Sequence, residues 1–296
     1  MFFQVMLPVL LIFLIGYTVQ RWKRMNIRSI STVVIYILTP SLVFRTFYTA
    51  DLNMQYLMMV LFALALLGAL VLLNFIYVRL RKYPQSVESG LVLSTVFMNS
   101  GNYGAPILLF AYGKEAFTLS ISLLVIHSVF MNFFGGYYAN RSAKGIKSAF
   151  IAVFKLPSIY AAILALGFHF TGMKMPENIF SAIDLISSAA IPLVMLVLGF
   201  QLAEMKLTVL DWNKIIYGTI VRLVISPLIA LALVSVLPVE PLLRKVLIVT
   251  SAMPSAVMAV IYAIQFEAEP ELVSSITFVS TLLSFVTITI ILVILG

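Results

Sequence analysis

Long apolar stretches constrain this chain more than any other feature of its sequence. About ten of them run for roughly 20 residues, the length that a helix needs to cross the hydrocarbon core of a bilayer. No water is available there to satisfy free backbone groups, so such stretches form helices. Only 10% of the residues are charged, against about 25% in soluble domains. The sequence therefore predicts an all-α, multi-pass membrane protein that lies in a lipid bilayer.

Charged residues, glycines and prolines divide the apolar sequence into ten predicted transmembrane segments. The first is interpreted as a spanning helix rather than a secretory signal, because the basic cluster of Arg21, Lys23 and Arg24 follows its apolar run. The segments are Met1–Gln20, Thr32–Ala50, Gln55–Tyr77, Ser89–Tyr112, Glu115–Asn140, Ala149–Thr171, Asn178–Ala203, Trp212–Leu237, Leu242–Phe266 and Glu271–Leu295.

Basic residues are distributed unevenly between the two ends of these segments. Thirteen lie in the loops that follow segments one, three, five and seven, and five lie at the opposite ends. Because short cytoplasmic loops are rich in lysine and arginine, this bias places both termini outside, on the periplasmic side of an inner membrane. The formal net charge of +8 is therefore attributed to topology, and no nucleic-acid partner is expected.

Prolines recur at similar positions in two halves of the chain, residues 1–140 and 141–296. Each half holds five segments, and because five is odd, the second half enters the membrane from the opposite side. Such inverted repeats are typical of secondary transporters, whose sites lie between interrupted helices near the bilayer midplane. Chance is the alternative, since membrane helices tolerate proline. The three pairs are separated by 149, 152 and 148 residues: Pro8 and Pro157, Pro40 and Pro192, and Pro106 and Pro254.

Two polar breaks interrupt the fourth and ninth segments, at Asn99–Pro106 and Thr250–Ser255. Proline in both breaks and glycine in the first disfavour a continuous helix. Irregular backbone at membrane depth persists only where protein buries it or where it lines a cavity, so we predict a substrate site there. The residues expected to bind substrate at the breaks are Asn99, Ser100, Gly101, Asn102, Gly104, Pro106, Ser251, Met253, Pro254 and Ser255.

The chemistry of the breaks indicates the charge of the substrate. The N-termini of half-helices attract anions, and their C-termini attract cations. Neutral hydrogen-bonding side chains flank both breaks, and no carboxylate lies there to hold a cation. This pattern favours an anionic or polar substrate. The competing interpretation is that Asn99 and Asn102 only satisfy the interrupted backbone.

Three further polar residues lie inside predicted segments, where ionisable groups are functional candidates. His127 and Asn132, in segment five, are expected beside the first break and are counted with the substrate site. His127 and Arg222 are candidates for a coupling charge, because histidine titrates near neutral pH and a buried arginine needs a partner. The alternatives are a structural histidine bonded to the backbone, and an Arg222 that snorkels or forms a fixed ion pair.

Motifs of other function classes are missing from the sequence. It holds no paired-aspartate motif, no H-E-x-x-H and no phosphate-binding loop, so an enzyme is not expected. Two histidines and no cysteine argue against a zinc site, and no metal or cofactor is predicted. A channel is less readily excluded than an enzyme, although a channel would usually show rings of charge or repeated carbonyl-rich filters.

Three stretches of the sequence carry a resemblance to a known family. They are Asn99–Pro106 followed by Ala111–Gly113, Leu38–Phe44 in segment two, and Ala252–Ser255 followed by Glu269–Leu272. Together they resemble the auxin efflux carrier family, which includes the plant PIN-FORMED carriers and prokaryotic permeases linked to malonate or malate. The resemblance covers essentially the whole chain, and its most specific part is the asparagine seven residues before a proline in segment four.

This resemblance implies a ten-helix fold related to the bile acid:sodium symporters, in which the broken helices four and nine cross. It implies a scaffold of approximately residues 1–50 and 149–203. A transport unit of approximately residues 55–140 and 212–296 would move against this scaffold as an elevator. We expect a homodimer, if one forms, to be joined through the scaffold helices.

The resemblance also assigns roles by position. Asn99 would contact the substrate, Pro106 and Pro254 would be the crossover prolines, and His127 lies near a polar residue on the substrate side. The loop Arg141–Ser148 is much shorter than in the plant carriers, so regulation through a long loop is not implied. The acidic residue that holds sodium in the bile acid relatives has no counterpart around Pro254, so sodium coupling does not follow.

We therefore expect a secondary transporter, active or facilitative, of small organic anions. These would be mono- or dicarboxylates that are malonate-, malate- or auxin-like, carried across the inner membrane of a prokaryote by alternating access. Two alternatives stay open at this point. One is a proton- or sodium-coupled exchanger of another solute, and the other is a non-transporting receptor or sensor.

Overall fold

The structure is a computed structural model that describes residues 2–50, 53–139, 157–204 and 211–296. Helices account for nearly all of this described chain, and its single strand-like feature is one isolated bridge. The predicted all-α class is confirmed.

Helices of very different length make up the described chain. We number them in chain order and treat a helix as continuous where one of its turns widens to π-helical hydrogen bonding. They are α1 (Phe3–Lys23), α2 (Ile27–Thr49), α3 (Met54–Arg81), α4 (Gln85–Val96), α5 (Ser100–Ala139), α6 (Pro157–Thr171), α7 (Glu177–Glu204), α8 (Trp212–Val236), α9 (Pro241–Ser251), α10 (Val257–Gln265) and α11 (Pro270–Leu295).

Seven of these helices are long and apolar enough to cross a membrane: α1, α2, α3, α5, α7, α8 and α11. Their surfaces carry large exposed apolar side chains such as Leu72, Leu228 and Val293. Exposed apolar side chains are what helices that face lipid tails require. The chain is therefore a multi-pass integral membrane protein.

The other helices are short for identifiable reasons. Helix α6 has 15 residues, and it follows residues 140–156, which lie outside the described chain. The predicted segments Ser89–Tyr112 and Leu242–Phe266 are each divided at their polar break, so α4, α9 and α10 are only partial spans. The count of ten segments in two inverted halves therefore stays a prediction. The loop Arg141–Ser148, where the halves would join, is also outside the described residues.

Gly113 divides α5 into two arms. Its backbone angles, φ 82° and ψ −167°, lie in a region that is essentially restricted to glycine. The helix is therefore kinked where the sequence analysis separated segments four and five. The first arm, residues 100–112, begins at a polar break, and the second arm, residues 114–139, carries His127 and Asn132.

Apolar side chains form two large clusters in the described chain. One cluster joins α2, α6 and α7 to α5 and includes Val43, Ala165 and Val197. The other joins α1, α3, α4, α8, α9 and α11 to α5, α7 and α10 and includes Phe62 and Ile248. Helices α5 and α7 contribute to both clusters, and the break residues Phe97, Met98 and Met253 belong to the second.

Close backbone contact joins α1 to α7. A Cβ atom built on Gly199 would lie 2.9 Å from Tyr17 N and 3.0 Å from Gly16 Cα. A Cβ atom on Gly16 would lie 3.2 Å from Gly199 Cα. Membrane helices associate through small residues of this kind, because lipid tails are as apolar as the side chains that they would replace.

Replacing Gly199 with alanine should lower the melting temperature of the detergent-purified protein, because the added methyl group forces α1 away from α7. Overpacking of this kind costs about 1–3 kcal/mol. Gly68 is the matched control, since a Cβ atom there would have nothing within 4 Å. Gly68→Ala should leave the melting temperature unchanged or raise it slightly. Equal effects of the two substitutions would contradict the close contact.

Candidate functional site

The two polar breaks lie side by side. The first interrupts the chain between α4 and α5, from Val96 to Ser100, and the second interrupts it between α9 and α10, from Ser251 to Val257. The interruptions run antiparallel past each other and form the isolated bridge of the described chain. The pairing expected from the repeat of prolines is therefore present as a physical contact.

Two main-chain hydrogen bonds join the breaks. Asn99 N donates to Pro254 O at 2.8 Å, and Ala256 N donates to Phe97 O at 2.9 Å. Each break thus satisfies backbone groups that the other leaves without a helical partner. Groups buried at membrane depth require such partners, because no water reaches them.

Hydroxyl groups of α11 hold the second break in place. Ser255 N donates to Ser280 Oγ at 3.3 Å, and Thr277 Oγ1 donates to Ser255 Oγ at 3.1 Å. Tyr103 OH and Ser284 Oγ lie 2.7 Å apart and connect the first arm of α5 to the same face of α11. These hydroxyl groups therefore position the breaks and pack the helices around them.

A cavity of about 220 Å³ adjoins the paired breaks. The first turns of both helices that leave the breaks line it, at residues 100–102 in α5 and at residues 256–258, where α10 begins. Apolar side chains of α2, α5, α7 and α10 form most of the remaining wall. The described residues that line the cavity include no Asp, Glu, Lys or Arg.

The structure brings part of the predicted site to this cavity. Two of the predicted residues lie elsewhere. Pro106 lines a smaller cavity of about 50 Å³, and Arg222 is fully buried in the protein interior. The predicted residues that line the large cavity are Asn99, Ser100, Gly101, Asn102, His127 and Asn132. Those that do not line it are Gly104, Pro106, Ser251, Met253, Pro254, Ser255 and Arg222.

The predicted residues outside the cavity take part in the crossing itself. Pro254 and Ser251 contribute main-chain carbonyl oxygens, and the Ser255 hydroxyl bonds to α11. Met253 is fully buried and packs against Gly104, where a Cβ atom would lie 3.2 Å from Met253 Cγ. These residues support the wall of the cavity without lining it.

Three residues of the cavity hold buried polar atoms that have no hydrogen-bond partner in the described chain. They are Asn99 through Nδ2, His127 through both ring nitrogens, and Gln201 through Oε1. Buried polar groups in folded proteins nearly always have a partner. These atoms have hydrogen-bonding capacity that the described chain does not use.

Asn132 differs from Asn99 although both line the cavity. Its Nδ2 donates to Ser128 O at 2.8 Å, and its Oδ1 accepts a hydrogen bond from Tyr262 OH at 2.6 Å. The side chain lies in the π-helical turn Met131–Gly135 of α5, and the bond from Tyr262 joins that turn to α10. The geometry favours a structural role for Asn132.

Gln201 was missed by the sequence analysis. It lies near the end of α7, in a stretch that is otherwise apolar, and it lines the cavity. A single amide near the end of an apolar segment is the signal that could have found it. That signal is weak, because polar side chains at segment ends usually reach solvent.

Arg222 is fully buried in the π-helical turn Val221–Ile225 of α8. Its Nη1 donates to Thr95 O at 2.6 Å, and its Nη2 donates to Ser251 O and to Ser226 Oγ. No carboxylate of the described chain forms an ion pair with it. The snorkelling alternative is therefore wrong, because the guanidinium lies in the protein interior.

The position of Arg222 separates the two kinds of helix end at the breaks. Thr95 and Ser251 lie in the last turns of α4 and α9, so a single side chain caps two C-termini. The N-terminal turns of α5 and α10 line the cavity instead. Since C-termini carry partial negative charge and N-termini partial positive charge, this arrangement favours a negatively charged ligand in the cavity.

Comparison with protein families places the chain among transporters. The family model described as "Membrane transport protein" matches residues 1–148 and 141–292, which together cover nearly all of the sequence. The chain belongs to the auxin efflux carrier family. The resemblance carried by the polar breaks is thus confirmed, and the transporter acts on a substrate across the lipid membrane in which it is embedded.

Two archaeal relatives extend this result. The transporter is 29% identical over 297 residues to an uncharacterized transporter of Methanocaldococcus jannaschii, and the match covers 96% of each chain. It is 30% identical over 295 residues to an uncharacterized transporter of Methanothermobacter thermautotrophicus, with 96% of this chain and 95% of the relative covered. Both matches extend over nearly the whole transporter.

Replacing Tyr262 with phenylalanine should destabilise the transporter by about 1–3 kcal/mol, because Asn132 Oδ1 would stay buried without a donor. Thermal unfolding of the detergent-purified protein measures the loss. Tyr36→Phe is the matched control, since Tyr36 is 61% exposed and should tolerate the change. A variant that unfolds at the temperature of the control would argue against the bond between α5 and α10.

Proposed function

We propose that the protein is a secondary transporter of small organic anions, namely mono- or dicarboxylates such as malonate-, malate- or auxin-like compounds. The observation that carries the proposal is the cavity at the paired breaks. Two helix N-termini and the free Asn99 amide line it, and no acidic side chain of the described chain does. Helix N-termini bind carboxylate and phosphate groups in many proteins, because their amides point at the ligand.

The chemistry of the walls favours a small ligand with one charged end. Its carboxylate would accept hydrogen bonds from Asn99 Nδ2 and from amides in the first turns of α5 and α10, other than Ser100 N, which donates to Met98 O at 2.9 Å. Its apolar part would lie against side chains such as Phe97, Val194 and Ile261. The volume of about 220 Å³ is below the roughly 300–1,000 Å³ of pockets for drug-sized ligands, which favours compact carboxylates.

Alternating access of elevator type would move this site. The cavity lies between the two groups of helices that the family resemblance assigns to different units. Residues of α2 and α7, including Thr39 and Gln201, line one side of it, and residues of α5 and α10 line the other. In this proposal the scaffold is residues 1–50 and 149–203, and residues 55–140 and 212–296 move.

The remaining architecture belongs to the same proposal. Ten helices in two inverted halves would place the crossing near the middle of the bilayer. The distribution of basic residues would place both termini on the periplasmic side of an inner membrane. A homodimer, if one forms, would be joined through the scaffold helices, which leaves the transport unit free to move.

Replacing Asn99 with alanine should reduce carboxylate uptake on the order of 10–100-fold, because a hydrogen bond to a charged group is worth about 1.5–3 kcal/mol. Asn99→Asp should abolish uptake, since it places a negative charge beside the bound anion. Uptake of labelled malonate, malate and indole-3-acetate into proteoliposomes measures both effects. Asn178→Ala, at the exposed start of α7, is the control. Wild-type uptake by Asn99→Asp would remove Asn99 from the site.

The same proteoliposomes separate the alternative functions. Proton coupling would use His127, whose ring nitrogens have no hydrogen-bond partner in the described chain. A protonophore should then slow carboxylate uptake by the wild type and leave the rate of uptake by the His127→Gln variant unchanged. Binding of a carboxylate without any flux would instead indicate a receptor.

Disulfide cross-linking tests the elevator. The sequence holds no cysteine, so Leu124→Cys and Val194→Cys form the single pair in the double variant. Both positions line the cavity, one from α5 and one from α7. Oxidation should stop uptake, and a reductant should restore it, whereas each single variant should be insensitive. A cross-linked protein that still transports would exclude sliding between these helices.

A further inference from the structure

Oxygen atoms from three helices accept hydrogen bonds from both terminal nitrogens of the Arg222 guanidinium, whereas its Nε has no partner in the described chain. Thr95 O and Val96 O, at 2.6 and 3.4 Å from Nη1, come from the end of α4. Ser251 O comes from the end of α9, and Ser226 Oγ comes from α8. This oxygen cage of Thr95, Val96, Ser226 and Ser251 is composed of main-chain carbonyls and a hydroxyl, which are the ligands that sodium and potassium ions prefer.

The charge of the oxygen cage matches that of one cation. The C-terminus of each helix carries the equivalent of about half a negative charge, and the ends of α4 and α9 meet here. Together they amount to about one negative charge, which one guanidinium balances. In transporters with broken helices, unwound carbonyls and half-helix C-termini coordinate the coupling cation.

Nothing else in the described chain balances Arg222. No described carboxylate pairs with it, and its exposure is 0%. An unpaired buried charge is strongly unfavourable, so the two helix ends must act as its counter-charge. Ser226 Oγ also donates to Ser251 O at 2.9 Å. This bond joins two members of the oxygen cage to each other directly, without the guanidinium. A side chain that only filled space would not need this arrangement.

We propose that Arg222 is a tethered cation that occupies the position of a dissociable coupling ion at the crossing. Its charge is covalently attached, so it cannot be taken up on one side of the membrane and released on the other. Resting on the proposed transport function, this means that a gradient of sodium or potassium does not drive the substrate. The N-termini that line the cavity are also held in place without prior binding of an ion.

Cation dependence of the wild type is the first test. Carboxylate uptake, and the rise in melting temperature caused by a bound carboxylate, should be the same in sodium, potassium and choline chloride. A requirement for sodium or potassium in the wild type would overturn the proposal without any variant.

Chemical rescue of Arg222 variants is the second test. Arg222→Ala leaves the oxygen cage empty and should lower the melting temperature in choline chloride on the order of 10 °C. Millimolar guanidinium chloride or sodium chloride should restore most of that loss, because the small cation enters the cage. Arg222→Met fills the same space without charge, so these salts should not restore it. Equal responses of the two variants would overturn the proposal.

Two more variants complete the design. Arg45→Ala removes a surface arginine that pairs with Asp184 at 2.5 Å, and it should show no response to guanidinium or sodium. Arg222→Lys keeps the charge and should stay independent of the cation in solution. If Arg222→Ala does not fold, a sodium requirement in Arg222→Lys would still refute a tethered charge.

The thermal rescue also separates this proposal from the proposed function. It is measured without substrate, so a failed rescue refutes the tethered cation even if carboxylates are transported. Intact rescue together with no carboxylate uptake would refute the substrate class and leave the role of Arg222 standing.

Discussion

The two hydrogen bonds between the breaks are the contact on which the rest of this structure depends. Interrupting a helix at membrane depth frees amide and carbonyl groups that water cannot reach. Asn99 with Pro254, and Phe97 with Ala256, satisfy those groups across the crossing. Because neither break could persist alone, the two halves of the chain are tied together at the position where the cavity forms.

A second consequence of the crossing is the separation of charge around it. Four helix ends meet there, and Arg222, which does not line the cavity, bonds to the two C-termini. The two N-termini are left to face the ligand. Charge selectivity of the cavity would therefore arise from main-chain dipoles and from an arginine outside the cavity lining, rather than from a charged side chain in the cavity wall.

Periodicity and breaks in the sequence predicted the membrane class, both interruptions and the position of His127 beside the first of them, and the resemblance of short motifs predicted the family. They could not predict which polar groups remain free. Asn99 and Asn132 look equivalent in the sequence, yet Tyr262, 130 residues away, bonds to Asn132 alone. The carbonyl partners of Arg222 carry no signal in the sequence, because every residue has a carbonyl group. The partners of Asn132 and of Arg222 both depend on how the helices pack in three dimensions, and that packing cannot be read from a single sequence.

Main-chain atoms form the contact between the breaks, and this has a consequence for how such a site can diversify. The side chains of Phe97, Met98 and Ala256 line the cavity, but the bridge does not use them. A substitution there can alter the shape offered to a ligand while the bridge between the two halves is retained. Ligand selectivity thus depends on the side chains of these residues and the architecture on their main-chain atoms, which lets one fold be adapted to many solutes.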